Sequence, residues 1–318
     1  MNTQANTVPG PFEAQPPSPA VFSATRPFYW SVRRELWENR SIYIAPLAAA
    51  GIFLIGFLIS TVHLPRQMRA QAALGSAHLT QMTPHDGASL TLVTPYDFVA
   101  GLLMLTAMVV GFFYCLDALH SERRDRSILF WKSLPVSDTT TVLAKASIPF
   151  VVLPLITFVV TVAAQWIMLL VSSAVVLGNG LSVAALWTQV AILPMSLMLF
   201  YHLLTVHVLW HAPFYGWLLL VSAWARRAAF LWAALPLLAI GFFEKIVFNT
   251  QHFAILLENR LSGGGVEAMT MPGSMPMDPA THLTPGTYLT SPGLWLGLVF
   301  TALCLAAAVR LRRHRGAI

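Results

Sequence analysis

The sequence predicts an all-α integral membrane protein with six transmembrane helices, and three observations predict it. Of 318 residues, 56% are apolar and only 10% are charged, against about 25% charged in an average soluble domain. The charges, 19 Lys and Arg against 13 Asp and Glu, are clustered and leave long uncharged stretches. Those stretches match the roughly 20 apolar residues that a helix needs to cross about 30 Å of hydrocarbon. So few polar side chains cannot cover a water-soluble globule, and the high hydrophobicity excludes disorder for most of the chain. Cys115 and Cys304 both lie inside apolar runs, which excludes a disulfide scaffold.

The predicted spans are 42–62, 98–116, 148–171, 183–209 with an extension to 223, 228–248 and 288–309. Lipid offers no partner to exposed backbone groups, so segments this apolar have no alternative to helix. The piece 213–223 is too short to cross by itself. Two readings of it stay open: the far end of a long helix that kinks at Pro213 and projects into the cytoplasm, or a re-entrant segment. The first is adopted here.

Basic residues set orientation. Arg33 and Arg34 precede the first span, and Arg310, Arg312, Arg313 and Arg315 follow the last. Both termini are therefore placed in the cytoplasm, which requires an even number of crossings. Six crossings leave only Arg66, Arg69, Lys245 and Arg260 outside. This distribution accounts for the net charge of +6 and the pI near 9.7; no basic face with interleaved aromatics suggests nucleic acid.

Residues 1–26 form a Pro-, Thr- and Ala-rich tail, expected to be disordered and cytoplasmic. It lacks the basic and apolar regions of a signal peptide. Residues 27–318 form a single transmembrane domain. It opens on a helix in which Phe28, Val32 and Leu36 recur with Trp30 and Trp37 beside them, while Arg33, Arg34, Glu35 and Glu38 fill other faces. That pattern predicts an interfacial helix, aromatic side toward lipid and basic side toward headgroups. The outer loops 63–95 and 249–292 show no sustained period and are expected to be irregular.

The loop between spans 2 and 3 reads SERRDRSILFWKSLPVSDTTTVLAKA over 121–146. Ser121 can cap a helix, and Glu122 and Arg126 stand at i, i+4. Ile128, Leu129, Phe130, Trp131 and Leu134 then make a short apolar surface on a charged stem. Pro135 stops that helix, and Ser137 or Asp138 can cap the next, which runs into span 3. Such a loop either lies on the bilayer as an amphipathic connector or docks in a partner's groove.

Glu122-Arg123-Arg124-Asp125-Arg126, followed by Leu134-Pro135-Val136-Ser137, resembles the cytoplasmic loop of ABC-2 type transporter permeases. Residues 219–227, LLVSAWARR, leading into Leu235-Pro236, are also similar to bacterial members of that family. The resemblance runs from about Pro27 to Arg313. It implies a coupling helix in the loop, two copies of a separate ATPase subunit carrying ATP and Mg, and a second permease unit forming a homodimer. It also implies the bacterial inner membrane as location and export of a substrate as activity. The Gly-, Met- and Pro-rich last outer loop departs from the common pattern. The chain has no phosphate-binding G-x-x-x-x-G-K-[ST], no H-E-x-x-H and no G-x-S-x-G. It is therefore expected to hold no catalytic residue and to be no enzyme by itself. A non-transporting scaffold or sensor is the alternative.

Two further signals are weighed. Met269, Met271, Met275, Met277 and His282 in the last outer loop could clamp Cu(I), against a chance enrichment of adaptable Met side chains, and the second reading is adopted. A permease linked to copper handling would follow from the first. His202, His207 and His211 fall along span 4; His207 and His211 have a chelating i, i+4 spacing. Intramembrane polar contacts across helices explain them without a metal.

Overall fold

The computed structural model describes residues 25–66, 68–69, 88–133, 136–262 and 285–314. Its helices are α1 (Thr25–Glu38), α2 (Ser41–Ser60), α3 (Ala88–Ala118), α4 (His120–Arg124), α5 (Ser127–Ser133), α6 (Asp138–Ser147) and α7 (Leu153–Gly178). There follow α8 (Ala184–Gln189), α9 (Ile192–His202), α10 (Ala212–Trp224), α11 (Ala229–Phe248), α12 (His252–Leu261), α13 (Pro285–Thr290) and α14 (Pro292–His314). No strand occurs among the described residues, and six helical runs there are long and apolar enough to cross a membrane. They contain α2, α3, α6–α7, α8–α9, α11 and α14.

Proline and glycine shape the long helices. α6 and α7 form one helical run of 41 residues, joined through a π-helical turn at Ile148–Val152. Pro149 and Pro154 remove two backbone donors there, and widening the turn relieves the clash of each ring with the preceding carbonyl. A second π-helical stretch, Leu203–Trp210, extends α9 and stops before Pro213. Gly216 lets α10 lie directly on α14, since a Cβ there would stand 3.1 Å from Thr301 Cα. Small residues allow this approach where lipid supplies no hydrophobic force between helices.

α10 corrects the expectation of a helix projecting into the cytoplasm. It starts at Ala212, with Pro213 beside Gly297 of α14, and ends where Ser222 and Ala225 bond to α3–α4. Tyr215, Leu219, Val221 and Ser222 are fully buried or nearly so. The run from α8 to α10 is thus a broken, kinked path whose extra length is absorbed inside the bundle. Its core partners are Ala107 and Tyr114 of α3 and Leu153 of α7.

Helix also occupies parts of both outer loops expected to be irregular. α3 begins at Ala88, ten residues before the expected span, and carries Pro95 in its interior. α12 follows α11 after a left-handed Asn249, φ 52°. Glu244 of α11 accepts bonds from the His252 and Phe253 amides at 2.7 and 2.8 Å. The charge near the end of α11 therefore caps the next helix, where a carboxylate satisfies free amides and the helix dipole. The tail over 1–24 and the Met-rich stretch with Met269, Met271, Met275, Met277 and His282 lie outside the described residues.

Candidate functional site

One end of the bundle buries a cluster of charges. Glu122 on α4 is 4% exposed. Its Oε1 accepts from Arg34 Nη2 of α1 at 2.6 Å and stands 3.1 Å from Lys145 Nζ of α6. Its Oε2 accepts from Arg312 Nη1 of α14. Lys145 Nζ also donates to Glu35 Oε1 at 2.7 Å, and Tyr114 of α3 donates to Glu35 Oε2 at 2.8 Å. Arg312 Nε reaches Asp138 Oδ1 at 3.2 Å. Glu35, Glu122 and Asp138 thus face Arg34, Lys145 and Arg312, exposed Glu38 adds a further partner to Arg34 at 3.2 Å, and side chains of α1, α3, α4, α6 and α14 meet in one knot.

Burial matters more than proximity here. A buried charge is tolerated only when paired and hydrogen-bonded. Burial opposes ionisation of Glu122, but Lys145, Arg312 and Arg34 outweigh it and hold the carboxyl at about 2, from an ordinary 4.5. Burial likewise opposes the charge on Arg34, and Glu35, Glu122 and Glu38 keep its pKa above the usual value.

These contacts correct the local reading of the loop. Glu122 does not pair with Arg126; buried Lys145 and Arg312 and half-buried Arg34 outcompete an exposed i, i+4 pair worth about 0.3–0.5 kcal/mol. Ser121 is no cap, because its hydroxyl turns back to donate to Asp117 O at 2.8 Å. The expected single helix is split between α4 and α5 at Arg126, whose φ is +58°. Arg123 is buried and donates to Ala223 O at 2.6 Å and Ala225 O at 3.3 Å. It neutralises the carbonyl end of α10, where a cation is favoured. Arg124 and Asp125 stay exposed and pair with each other at 3.1 Å. Ser137 does cap α6, accepting from Thr140 N at 3.0 Å; Val136 precedes it, half-buried, and Leu134 and Pro135 lie outside the described residues.

The apolar surface of the loop divides in two. Ile128 is fully buried, whereas Leu129 and Phe130 are each 60% exposed. Trp131 lies under the Arg34 guanidinium at 3.7 Å, which attaches α5 to α1. On α1 itself the expected separation of aromatic and basic faces does not hold. Phe28, Trp30 and Trp37 face outward, but Arg33 sits among them, 5.0 Å and 4.6 Å from the Trp30 and Trp37 rings. Arg34 and Glu35 turn inward, and Val32 and Leu36 pack on the core. The helix is docked on protein along this side.

The histidines lie on the inner face of the bundle, all nearly fully buried. His207 Nε2 is 3.1 Å from Tyr215 OH, His211 Nε2 is 3.3 Å from Leu261 O, and His202 Nδ1 is 2.9 Å from Met198 O. The π-helical turn displaces His207 from His211, with ring centroids 6.3 Å apart. They bond to different partners rather than chelating one centre. No group of three His, Cys, Asp or Glu side chains suited to a metal occurs among the described residues.

Sequence reasoning missed Glu35, Lys145, Tyr114 and Arg312 as members of the cluster. The available signal was chemical: a Glu next to a span needs buried partners, and these cations border other spans at the same predicted side. Comparison with protein-family models, curated proteins and solved structures found no match.

Proposed function

We propose that the chain is the membrane-spanning permease subunit of an ABC-2 type ATP-binding cassette exporter, driven by a separate ATPase that grips the α4–α6 loop. The observation that carries this reading is the buried Glu122 cluster, which fastens the loop to α1, α6 and α14. A partner pushing on exposed Leu129 and Phe130 would move a braced unit rather than a slack connector. α6 continues into α7 as one helical run, so displacement at the loop is passed along the length of the bundle. The reading places both termini and the loop in the cytoplasm, α1 at the inner membrane surface, and ATP with Mg on the partner. It also places the loop motif where the resembling family has its coupling helix.

The test is co-expression with a candidate ABC ATPase subunit, recognised by its phosphate-binding loop, from the same genome. Wild type is expected to co-purify with it and to change its ATP hydrolysis rate. Leu129→Asp/Phe130→Asp is expected to abolish both while leaving the melting temperature within about 2 °C, since surface changes seldom exceed about 0.5 kcal/mol. Undiminished complex formation by that variant would reject the proposed handle. Charge reversal at Glu122 or Arg123 is unsuitable, because both are buried structural residues.

A further inference from the structure

A second polar feature at the basic end belongs to neither the charge cluster nor the loop surface. His120, Arg124, Arg226, Arg227 and Ala228 line an open cleft of about 410 Å³. Arg124 is engaged by Asp125 at 3.1 Å and lies 4.0 Å from Asp117, and His120 Nδ1 is held 3.2 Å from Ala225 O. Arg226 and Arg227 are exposed and have no ion-pair or hydrogen-bond partner among the described residues. The cleft also receives the start of α11, which has no side-chain cap and begins after Ala228 in left-handed backbone, φ +49°. An uncapped helix start presents free amides and the positive end of a dipole to an anion.

An apolar groove of about 390 Å³ runs between α3, α10 and α11. Phe112, Phe113 and Leu116 of α3, Trp217 of α10, and Phe230 and Ala233 of α11 line it. Leu116 stands one helical turn before His120, and Phe230 two residues after Ala228. On both the α3–α4 segment and α11, residues of the groove and of the cleft are therefore near neighbours along the chain, although the two linings share no residue. α11 has 20 residues, about 30 Å at 1.5 Å per residue, the thickness of the hydrocarbon layer. With α11 crossing that layer, the cleft at its first residue falls at the depth of lipid phosphates and the groove at the depth of acyl chains.

We propose that this composite site holds an anionic phospholipid from the leaflet at the basic end, phosphate headgroup on Arg226 and Arg227, acyl chain in the groove between α3 and α11. Arginines that serve only to orient a span require neither a cleft nor an adjoining apolar channel. The paired charge and shape select a lipid over a free anion, which would leave the groove unfilled. They also select an anionic over a zwitterionic headgroup, because the choline group would bring a cation to unpaired arginines.

Native mass spectrometry of the purified full chain, given equimolar phosphatidylglycerol and phosphatidylcholine with identical acyl chains, tests the site. Wild type is expected to retain phosphatidylglycerol preferentially. Arg226→Gln/Arg227→Gln removes two headgroup contacts and is expected to lower that retention about thirtyfold. Arg310→Gln/Arg313→Gln removes the same charge from exposed positions on α14 and should leave it unchanged. Ala234→Trp, at a half-buried position on the groove wall, narrows the groove without altering charge and should also lower retention. Equal retention of the two lipids by wild type, or equal loss in the two double-arginine variants, would overturn the proposal. Full retention by Ala234→Trp would overturn the acyl-chain assignment. Melting temperatures of all variants, matched to wild type, exclude misfolding as the cause.

Discussion

The two ends of the bundle are held together by different chemistry. At the basic end, Glu122 and Glu35 face Arg34, Lys145 and Arg312, so each charge depends on the others. At the other end, side chains bond to backbone carbonyls. Trp210 Nε1 donates to Asn259 O at 3.1 Å, Arg260 to Trp210 O at 3.2 Å, and Tyr288 OH to Thr205 O at 2.6 Å. Arg260 also covers the Trp210 ring at 4.0 Å. Loss of one such bond leaves the rest intact. Loss of one buried charge leaves its partners uncompensated. The basic end should therefore respond as a unit and the other end piecemeal.

The largest expected effect follows from Glu122→Gln, which keeps the shape and removes the charge that three cations share. Breaking a buried pair in this way costs about 3–5 kcal/mol, and thermal or denaturant unfolding in detergent should show it. A loss below about 1 kcal/mol would dissolve the contrast between the ends. Next comes Gly216→Leu, which drives a side chain into Thr301 Cα; overpacking of this kind costs about 1–3 kcal/mol and is read in the same unfolding experiment. At the other end, Tyr288→Phe removes one bond to Thr205 O and should cost about 1 kcal/mol.

pH sharpens the same contrast. The Glu122 carboxyl titrates at about 2 in the fold against an ordinary 4.5. A lowered folded-state pKa means that the stabilisation is complete above about pH 4.5 and is lost as pH falls toward 2. Unfolding temperature should consequently be flat for this contribution between pH 6 and 8 and should fall below pH 4.5. In Glu122→Gln the acid-side fall should be smaller. An unchanged acid profile in that variant would show that other carboxylates govern it.

Much of this architecture could be read from the sequence because lipid leaves so few choices. Uninterrupted apolar runs specify helices by length alone, and Ser137 followed by Asp138 specified a helix start that the fold adopts. The site was less legible. Glu122 sits four residues before Arg126, and that local spacing concealed partners 88 and 190 positions away at Arg34 and Arg312. Charge pairing across a fold has no period, so the sequence names its members without naming its pairs. The start of α3 was missed because residues 88–97 show no sustained apolar period, and Pro95 inside the helix removes only one donor, a loss the packed bundle tolerates. The capping role of Glu244 was not legible either, because it depends on where α12 turns back.

The most direct test concerns the side of the membrane on which the loop lies. Cys115 and Cys304 are buried, so a single introduced thiol at exposed Ser133 can be read against a low background. Ser133→Cys, treated with a membrane-impermeant maleimide, is expected to label in inverted membrane vesicles and to remain unlabelled in intact spheroplasts. Labelling in spheroplasts alone would place α5 on the face no cytoplasmic ATPase can reach, and would contradict the account.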